Sequence, residues 1–294
     1  MKPTTIDQVL PLFSEKKVAS ILGVPVEVLR ELAVLGDELY RPFDLPKRNG
    51  KGTRRIDNPS ERLKAVQKRI YERLLRLIPL PPFVLGGVPG KSVRHNAEPH
   101  VGRSCVVAMD IEEYFPSIRS RHVEQVFKTT LRTGDKTTRL LARLTTFSGR
   151  LPQGAPTSTP LANLVIAPLL EEFNKGHEPS AMFLTNWVDD ITFSGRDAPQ
   201  AIGDLARILT RNGFRVAQKK TRIMRAGSRQ EVTKVVVNRK PSIGGVRKRA
   251  VRDALRSGTT SSVSPRERGL VSHALSICEA QGQSLQRILH KRQA

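Results

Sequence analysis

Apolar residues recur along this chain in three patterns, and each predicts a different kind of element. Val18, Ile21 and Leu22, then Val28, Leu29 and Leu32 beyond a Gly23/Pro25 break, have helical spacing and predict helices within 4–40. The pair imitates a helix-turn-helix. Its second helix, near 25–32, is acidic and short of base-reading side chains, so a structural helical hairpin fits better than a DNA reader. A stripe of Leu63, Val66, Ile70, Leu74 and Leu77 predicts a helix over 60–78, stopped by Pro79, Pro81 and Pro82. Helices are also expected over 121–147, which is basic, and over 198–212. A further helix opens at the capping box Ser264–Glu267 and runs to about Glu279, and a short one follows Gly282.

The second pattern is β-prone and short. Residues 41–58 read as two strands around a Gly/basic tip at 47–55, and 213–224 as strand-turn-strand, with another strand in 231–243. In 182–195, Phe183-Leu184 with Trp187-Val188, and then Ile191-Thr192-Phe193, flank Asp189-Asp190 and predict a hairpin with both aspartates at its tip. The third pattern is an unbroken apolar run, Cys105 to Met109, which predicts a buried strand ending in Asp110. Residues 83–104 look loop-rich. After 147 comes a loop punctuated by Pro152, Gly154 and Pro156, then an apolar helix with Ser158 as a cap, Pro160 in its first turn and Pro168 as a kink or end.

Charge changes the picture more than composition does. The 294 residues carry 50 Lys/Arg against 27 Asp/Glu, a net +23, and residues 201–294 alone hold 21 against 5. Such an excess implies a polyanionic partner, nucleic acid before membrane. No apolar run reaches 18 residues and no secretory leader is visible, so a cytoplasmic protein is expected. Cys105 and Cys278 lie in apolar contexts and read as reduced thiols, and the six histidines lack metal-ligand spacing. Gly90-Lys91-Ser92 lacks the first glycine of a phosphate loop and is rejected as one.

Two adjacent carboxylates at a hairpin tip repel each other unless a cation sits there. Taken alone, Asp189-Asp190 is either a solvated surface turn or a divalent-metal platform completed by a third carboxylate, for which Asp110 is the candidate. Strand aspartate, Gln-Gly loop with its helix, then aromatic-x-Asp-Asp hairpin, in that order, resemble the palm of reverse transcriptases. Within that family the chain looks most like the bacterial retron enzymes, from about Leu32 to Ile243. Asn96-Ala97-Glu98-Pro99-His100 fits their Asn-Ala-x-x-His motif, 151–158 fits the Leu-Pro-Gln-Gly-Ala-Pro-Thr-Ser loop, and Pro46-Lys47-Arg48-Asn49-Gly50 opens a finger motif. Two departures stand out: Trp187-Val188 where Tyr-Ala is usual, and Lys234 where Val-Thr-Gly is usual.

The resemblance implies an α+β right-hand polymerase with fingers, an antiparallel palm sheet and a helical thumb. The expected divisions are 1–40 helical, 41–104 fingers, 105–240 palm with 121–150 as a fingers-side insertion, and 241–294 basic thumb. It implies RNA-templated DNA synthesis on a dedicated noncoding RNA, primed from an RNA 2′-hydroxyl, and an effector protein in anti-phage defence. Asp110, Asp189 and Asp190, with Ile111 beside them, would hold two Mg²⁺ ions, the hard cations that suit carboxylates. Phe115 would gate the sugar, Gln153 and Gly154 would floor the nucleotide pocket, and Lys47 and Arg54 would grip the triphosphate of a dNTP. Lys220, with Lys219 as rival, would protonate the pyrophosphate. Asn96, His100, Val232, Thr233, Lys234, Arg247, Lys248 and Arg249 are the expected RNA contacts. The open alternatives are a group II-like or other defence reverse transcriptase with a different primer, and a catalytically silent RNA-binding scaffold.

Overall fold

A computed structural model describes residues 5–47, 52–178, 181–257 and 264–293. The chain begins with the expected helical hairpin, α1 (Glu15–Leu22) and α2 (Val26–Leu35). Ser14 caps α1 by accepting the Lys17 N–H, and Gly23 ends it at φ 60°. The hairpin β1 (Tyr40–Pro46) and β2 (Thr53–Pro59) follows, then α3 (Glu61–Arg73). Arg69 and Arg73 of α3 donate to the Ile21, Leu22 and Gly23 carbonyls and so satisfy the open end of α1. The α-helix stops at Arg73 and a 3₁₀ turn, Leu75–Leu77, completes the apolar stripe.

The loop-rich stretch holds an unforeseen short helix, α4 (Val93–Ala97), capped by Ser92 of the rejected phosphate loop. Strand β3 (Cys105–Asp110) follows, then α5 (Tyr114–Ser117), α6 (Ser120–Thr130), α7 (Asp135–Thr145) and the long α8 (Ser158–Lys175). Ser158 donates its hydroxyl to the Pro152 carbonyl instead of capping α8, contrary to expectation, and of the two outcomes expected at Pro168 the helix does not end there. Pro168 is exposed, so water can serve the backbone carbonyl its missing N–H leaves open.

Strands β4 (Met182–Trp187) and β5 (Asp190–Gly195), helix α9 (Ile202–Arg211) and strand β6 (Arg222–Arg225) complete the main sheet, antiparallel in the order β4-β5-β3-β6. A small hairpin, β7 (Glu231–Val232) and β8 (Val235–Val236), precedes α10 (Gly245–Ser257), α11 (Pro265–Ile277) and α12 (Glu279–Gln293).

Both faces of β3 are buried, which explains its unbroken apolar run. Val107 and Met109 join Ile191 and Phe193 in a large core that extends from Val9 to Phe214, so the expected N-terminal segment, fingers and palm share one interior. Val106 and Ala108 face the other way. With Met224 they pack on a second core built from β7, β8 and the apolar stripes of α10–α12. The basic tail is therefore folded onto the back of the sheet.

Candidate active site

The pairing of β3 with β5 sets Asp110 directly opposite Asp190. Like charges in that position destabilise a sheet unless something compensates them. Trp187 pairs with Asp190, so the two-residue turn is Val188-Asp189, one position earlier than the sequence suggested, and Asp190 is a strand residue. Asp189 is fixed by its backbone, whose carbonyl accepts the Ile111 N–H at 3.1 Å. Ile111 is itself buried.

Burial, and then the neighbouring Asp110, raises the pKa of Asp189. Burial, and then Asp189, pushes Asp190 up to about 6. Lys220 lies on the short turn Gln218–Lys220, where both it and Lys219 are exposed, and its ammonium bonds Asp110 Oδ1 at 2.7 Å. Arg54 of β2 is close enough for its charge to act on Asp189 across the cleft.

Sequence reasoning missed what holds this hairpin. Val188 sits at φ 61°, a left-handed conformation that is costly for a β-branched residue. Asn186, fully buried, braces the turn: its Nδ2 donates to the Val188 carbonyl at 2.9 Å. Its backbone carbonyl accepts the N–H groups of Leu85 and Gly86, and its own N–H reaches Phe83. Gly86 lies so close that a Cβ there would be 2.5 Å from the Val188 nitrogen. This tight approach is the one signal the sequence held, in the Gly86-Gly87 pair.

Asp57 was missed as well. It is 1% exposed on β2 and accepts the Gln153 N–H at 3.1 Å, while its own N–H donates to the Gln153 carbonyl at 2.8 Å. Arg55 bonds the same carboxylate at 3.2 Å. The Gln153-Gly154 loop is thereby latched to the β1–β2 hairpin, with Gly154 at φ 118° against Ile56. Phe115 is half-buried with its ring 5.7 Å from that of Tyr114, whose hydroxyl is anchored on the Ala162 carbonyl. Lys47 is exposed at the end of β1, and Arg48–Lys51, the rest of the finger motif, fall outside the described residues.

Several expected RNA contacts are corrected. His100 is fully buried and its two ring nitrogens engage Ser194 Oγ at 2.7 Å and Thr185 Oγ1 at 2.8 Å, one on each strand of the aspartate hairpin. Burial lowers its pKa to about 3, so it is a neutral cross-brace. Asn96, also fully buried, donates to Thr233 Oγ1 at 3.3 Å in the β7–β8 turn. Val232 is core, at 1% exposure. None of these three side chains reaches the surface. Lys234 and Arg249 are exposed, Thr233, Arg247 and Lys248 half-exposed, and Lys234 and Arg247 both act on His273 of α11.

Among the described residues, no three acidic, histidine or cysteine groups converge into a ready-made metal cluster. The donor set nonetheless fits a hard cation. Asp110 and Asp190 are in register, Asp189 adjoins them, both hairpin carboxyls resist ionisation, and an ammonium already bonds Asp110.

Residues 45–252 match the family described as reverse transcriptase (RNA-dependent DNA polymerase). The chain belongs to the reverse transcriptase family. It is 36% identical over 255 residues to the retron Mx65 reverse transcriptase of Myxococcus xanthus, covering 78% of this chain and 59% of the relative. It is 32% identical to the retron Mx162 reverse transcriptase of the same organism, covering 77% and 54%. With the retron Ec86 reverse transcriptase of Escherichia coli it shares 29% identity over 86% of this chain and 81% of the relative. The chain thus spans under two thirds of the two Myxococcus proteins. In fold it resembles the Sicinivirus 3Dpol RNA-dependent RNA polymerase, at TM-score 0.54 and 14% identity over 92% of this chain and 66% of that one. An apo telomerase from Candida tropicalis gives TM-score 0.51 at 12% identity over 69% and 54%. A right-hand polymerase built of helices around an antiparallel sheet is therefore the fold. Families with this domain generally use divalent metal ions. Among the described residues no helix is long and apolar enough to cross a membrane.

Proposed function

We propose that this chain is a retron-type reverse transcriptase that copies a dedicated structured noncoding RNA into DNA, primed from an RNA 2′-hydroxyl. The observation that carries the reading is Asp110 in register with Asp190 beside Asp189, where burial and like charge hold both hairpin carboxyls above the ordinary range and a bound divalent cation would favour their charged forms. Two Mg²⁺ ions, when bound there, supply charge neutralisation at the attacking hydroxyl and at the departing pyrophosphate. In each step a hydroxyl oxygen bonds the α-phosphorus of a dNTP and the α–β anhydride bond breaks.

The protein's own groups do the rest. Arg54 and Lys47 hold triphosphate oxygens, and Lys220 leaves Asp110 to give its proton to pyrophosphate. Gln153 and Gly154, held by Asp57, floor the pocket, and Phe115 fills the space a ribose 2′-hydroxyl would need. The unpaired thiols of Cys105 and Cys278 support a cytoplasmic setting. Exposed cations on α10 and at Lys234 grip the RNA backbone, and an effector protein acts with the product in anti-phage defence.

The test is to purify the full chain, supply dNTPs and Mg²⁺, and sequence the nucleic acid that comes with it. One dominant RNA joined to DNA through a branch is expected. A random RNA population with no DNA extension would sink the dedicated-template reading.

A further inference from the structure

The basic stretch expected to be helical over 121–147 takes no part in the carboxylate site. Between 119 and 150 the chain carries eight Lys/Arg against two acids, Glu124 and Asp135. Folding sorts these charges. Helix α7 packs on α1, α2, α3 and α6 and buries Leu140, Leu141 and Leu144 in the large core. Lys136, Arg139 and Arg143 stay exposed at i, i+3 and i+7, a row about 10 Å long on one face of the helix. Arg132, in the α6–α7 turn at φ 47°, is exposed at the near end of that helix. Among the described residues none of these four cations is in an ion pair. Asp135 is bonded by Lys128 at 2.9 Å, with Arg139 acting on it from farther off.

A ring stands at the same end. Leu12 and Phe13 run along the α6–α7 turn: the Leu12 N–H donates to the Leu131 carbonyl at 3.2 Å, and Thr137 Oγ1 donates to the Phe13 carbonyl at 3.0 Å. Leu12 is buried, whereas Phe13 is 68% exposed. One exposed ring is ordinary, and so is one charged helix face. Side by side they supply what a single-stranded nucleic acid binds, cations along its backbone and a π-face for a base.

We infer that this outer face of α7, with Phe13, docks an unpaired stretch of RNA outside the polymerising centre, which rests on the RNA-copying role proposed for the chain. Phosphates lie on Arg132, Lys136, Arg139 and Arg143, and one base stacks on the Phe13 ring. The chain belongs to an RNA-copying family, so RNA is the polyanion at hand. A double-helical stem keeps its bases paired inside and would leave the ring without a partner. The track also has a border. Arg139 and Arg143 line a cleft of about 410 Å³ whose other walls include Asp37 and Glu124. Those carboxylates repel phosphate, so the strand keeps to the crest of α7 and stays out of the cleft.

Photocrosslinking in the presence of chelator needs no catalysis, so it reads this contact whether or not the chain polymerises. A thiouridine-labelled single-stranded RNA of about 12 nucleotides is irradiated with the full chain and the crosslinked peptides are mapped. Label is expected at Phe13 and within 131–143. Phe13→Ala should lower it about tenfold and Phe13→Trp should keep it, because a base meets the ring and not the segment. Lys136→Ala, Arg139→Ala and Arg143→Ala together should cut the salt slope of labelling here by about 2, at about 0.7 per phosphate contact on a single strand. All four side chains are exposed, so circular dichroism should stay native. Stronger labelling of this face by an RNA duplex of the same length assigns a stem and overturns the single-strand docking. Competition by polyglutamate but not by unlabelled RNA assigns an acidic protein and also overturns it. Crosslinks confined to other peptides overturn it while RNA binding stands, and no crosslink anywhere overturns it together with the RNA-copying role.

Discussion

The turns at Val188-Asp189 and Thr233-Lys234 each join two antiparallel strands through two residues, with Val188 at positive φ in the first and both Thr233 and Lys234 in the second. Two-residue hairpins favour such conformations because they match the strand twist, and glycine or asparagine usually supplies them. Their surroundings differ. The first turn is clamped by Asn186 and Gly86, with His100 joining its strands from below. The second presents an exposed Lys234 and is held by Asn96 through Thr233. Both anchors come from one short stretch, 96–100. The motif expected to touch RNA works instead as an internal bracket between the two hairpins. Strain next to the carboxylates is over-determined by packing, whereas strain near the basic tail is left open to solvent.

The largest expected effect separates the two turns by chemistry. Asp189→Asn should reduce DNA synthesis by about 10²–10³-fold or more, while Lys234→Ala leaves the chemical step intact and weakens RNA retention. Single-turnover extension and a salt titration of RNA binding check the two halves. Comparable losses of synthesis in both variants would break the distinction.

Packing around the first turn is the next handle. Gly86→Ala puts a methyl 2.5 Å from the Val188 nitrogen and 2.8 Å from the Trp187 carbonyl carbon, so backbone must move. A destabilisation of about 1–3 kcal/mol is expected. A displacement of about 1 Å at Asp189 would cost about 10²-fold in rate. Urea unfolding and extension rates report both. Normal activity would mean that Gly86 does not position the turn.

The carboxylates of the first turn also make a pH signature that the second turn lacks. The folded-state pKa of Asp190 is about 6, above the ordinary 3.8, so the folded protein holds this proton more tightly than the unfolded chain. Without metal, the contribution of Asp190 is most favourable below pH about 4 and is lost as pH rises to about 6. Against Asp190→Asn, the metal-free wild type should therefore lose about 2–3 kcal/mol between those limits, with the variant the more stable at neutral pH. Added divalent cation should close the gap. Parallel stability curves for the two proteins would remove the electrostatic account.

What the sequence carried, and what it did not, follows the same division. The run from Cys105 to Asp110 predicted both a buried strand and a carboxylate at its end, because a continuous apolar run this short, with two valines, suits a strand buried on both faces better than a helix. The aspartate hairpin was legible for the same reason, but its turn was off by one residue. A valine at φ 61° violates the local rule on which turn prediction rests, and only Gly86 and Asn186 make it tolerable. The roles of Asp57, Asn186 and His100 depend on partners 96, about 100 and 94 residues away in sequence, which no local pattern encodes. Asn96 and His100 were expected at RNA through the resemblance of the Asn-Ala-x-x-His motif, but Asn96 bonds Thr233 in the β7–β8 turn and His100 bonds the buried hydroxyls of Thr185 and Ser194.

The smallest effect concerns Lys234, where the resemblance to retron enzymes leads to the expectation of glycine. Its φ is 69°, so the backbone keeps the shape glycine would take, and the preceding Thr233 is at 44°. A side chain in this region costs about 1 kcal/mol through contact of Cβ with its own backbone. Lys234→Gly should remove that strain, but it also frees the unfolded chain, which offsets part of the gain. A net stabilisation of about 0.5 kcal/mol is expected, together with weaker RNA binding from the lost charge beside Arg247. Val188→Gly relaxes the same kind of strain and should behave differently, because its side chain packs on the large core. It should therefore gain no stability and should loosen Asp189. Chemical denaturation of the two glycine variants side by side is the measurement. Equal stabilisation of both would mean that the packing around Val188 contributes nothing to holding the carboxylates in place.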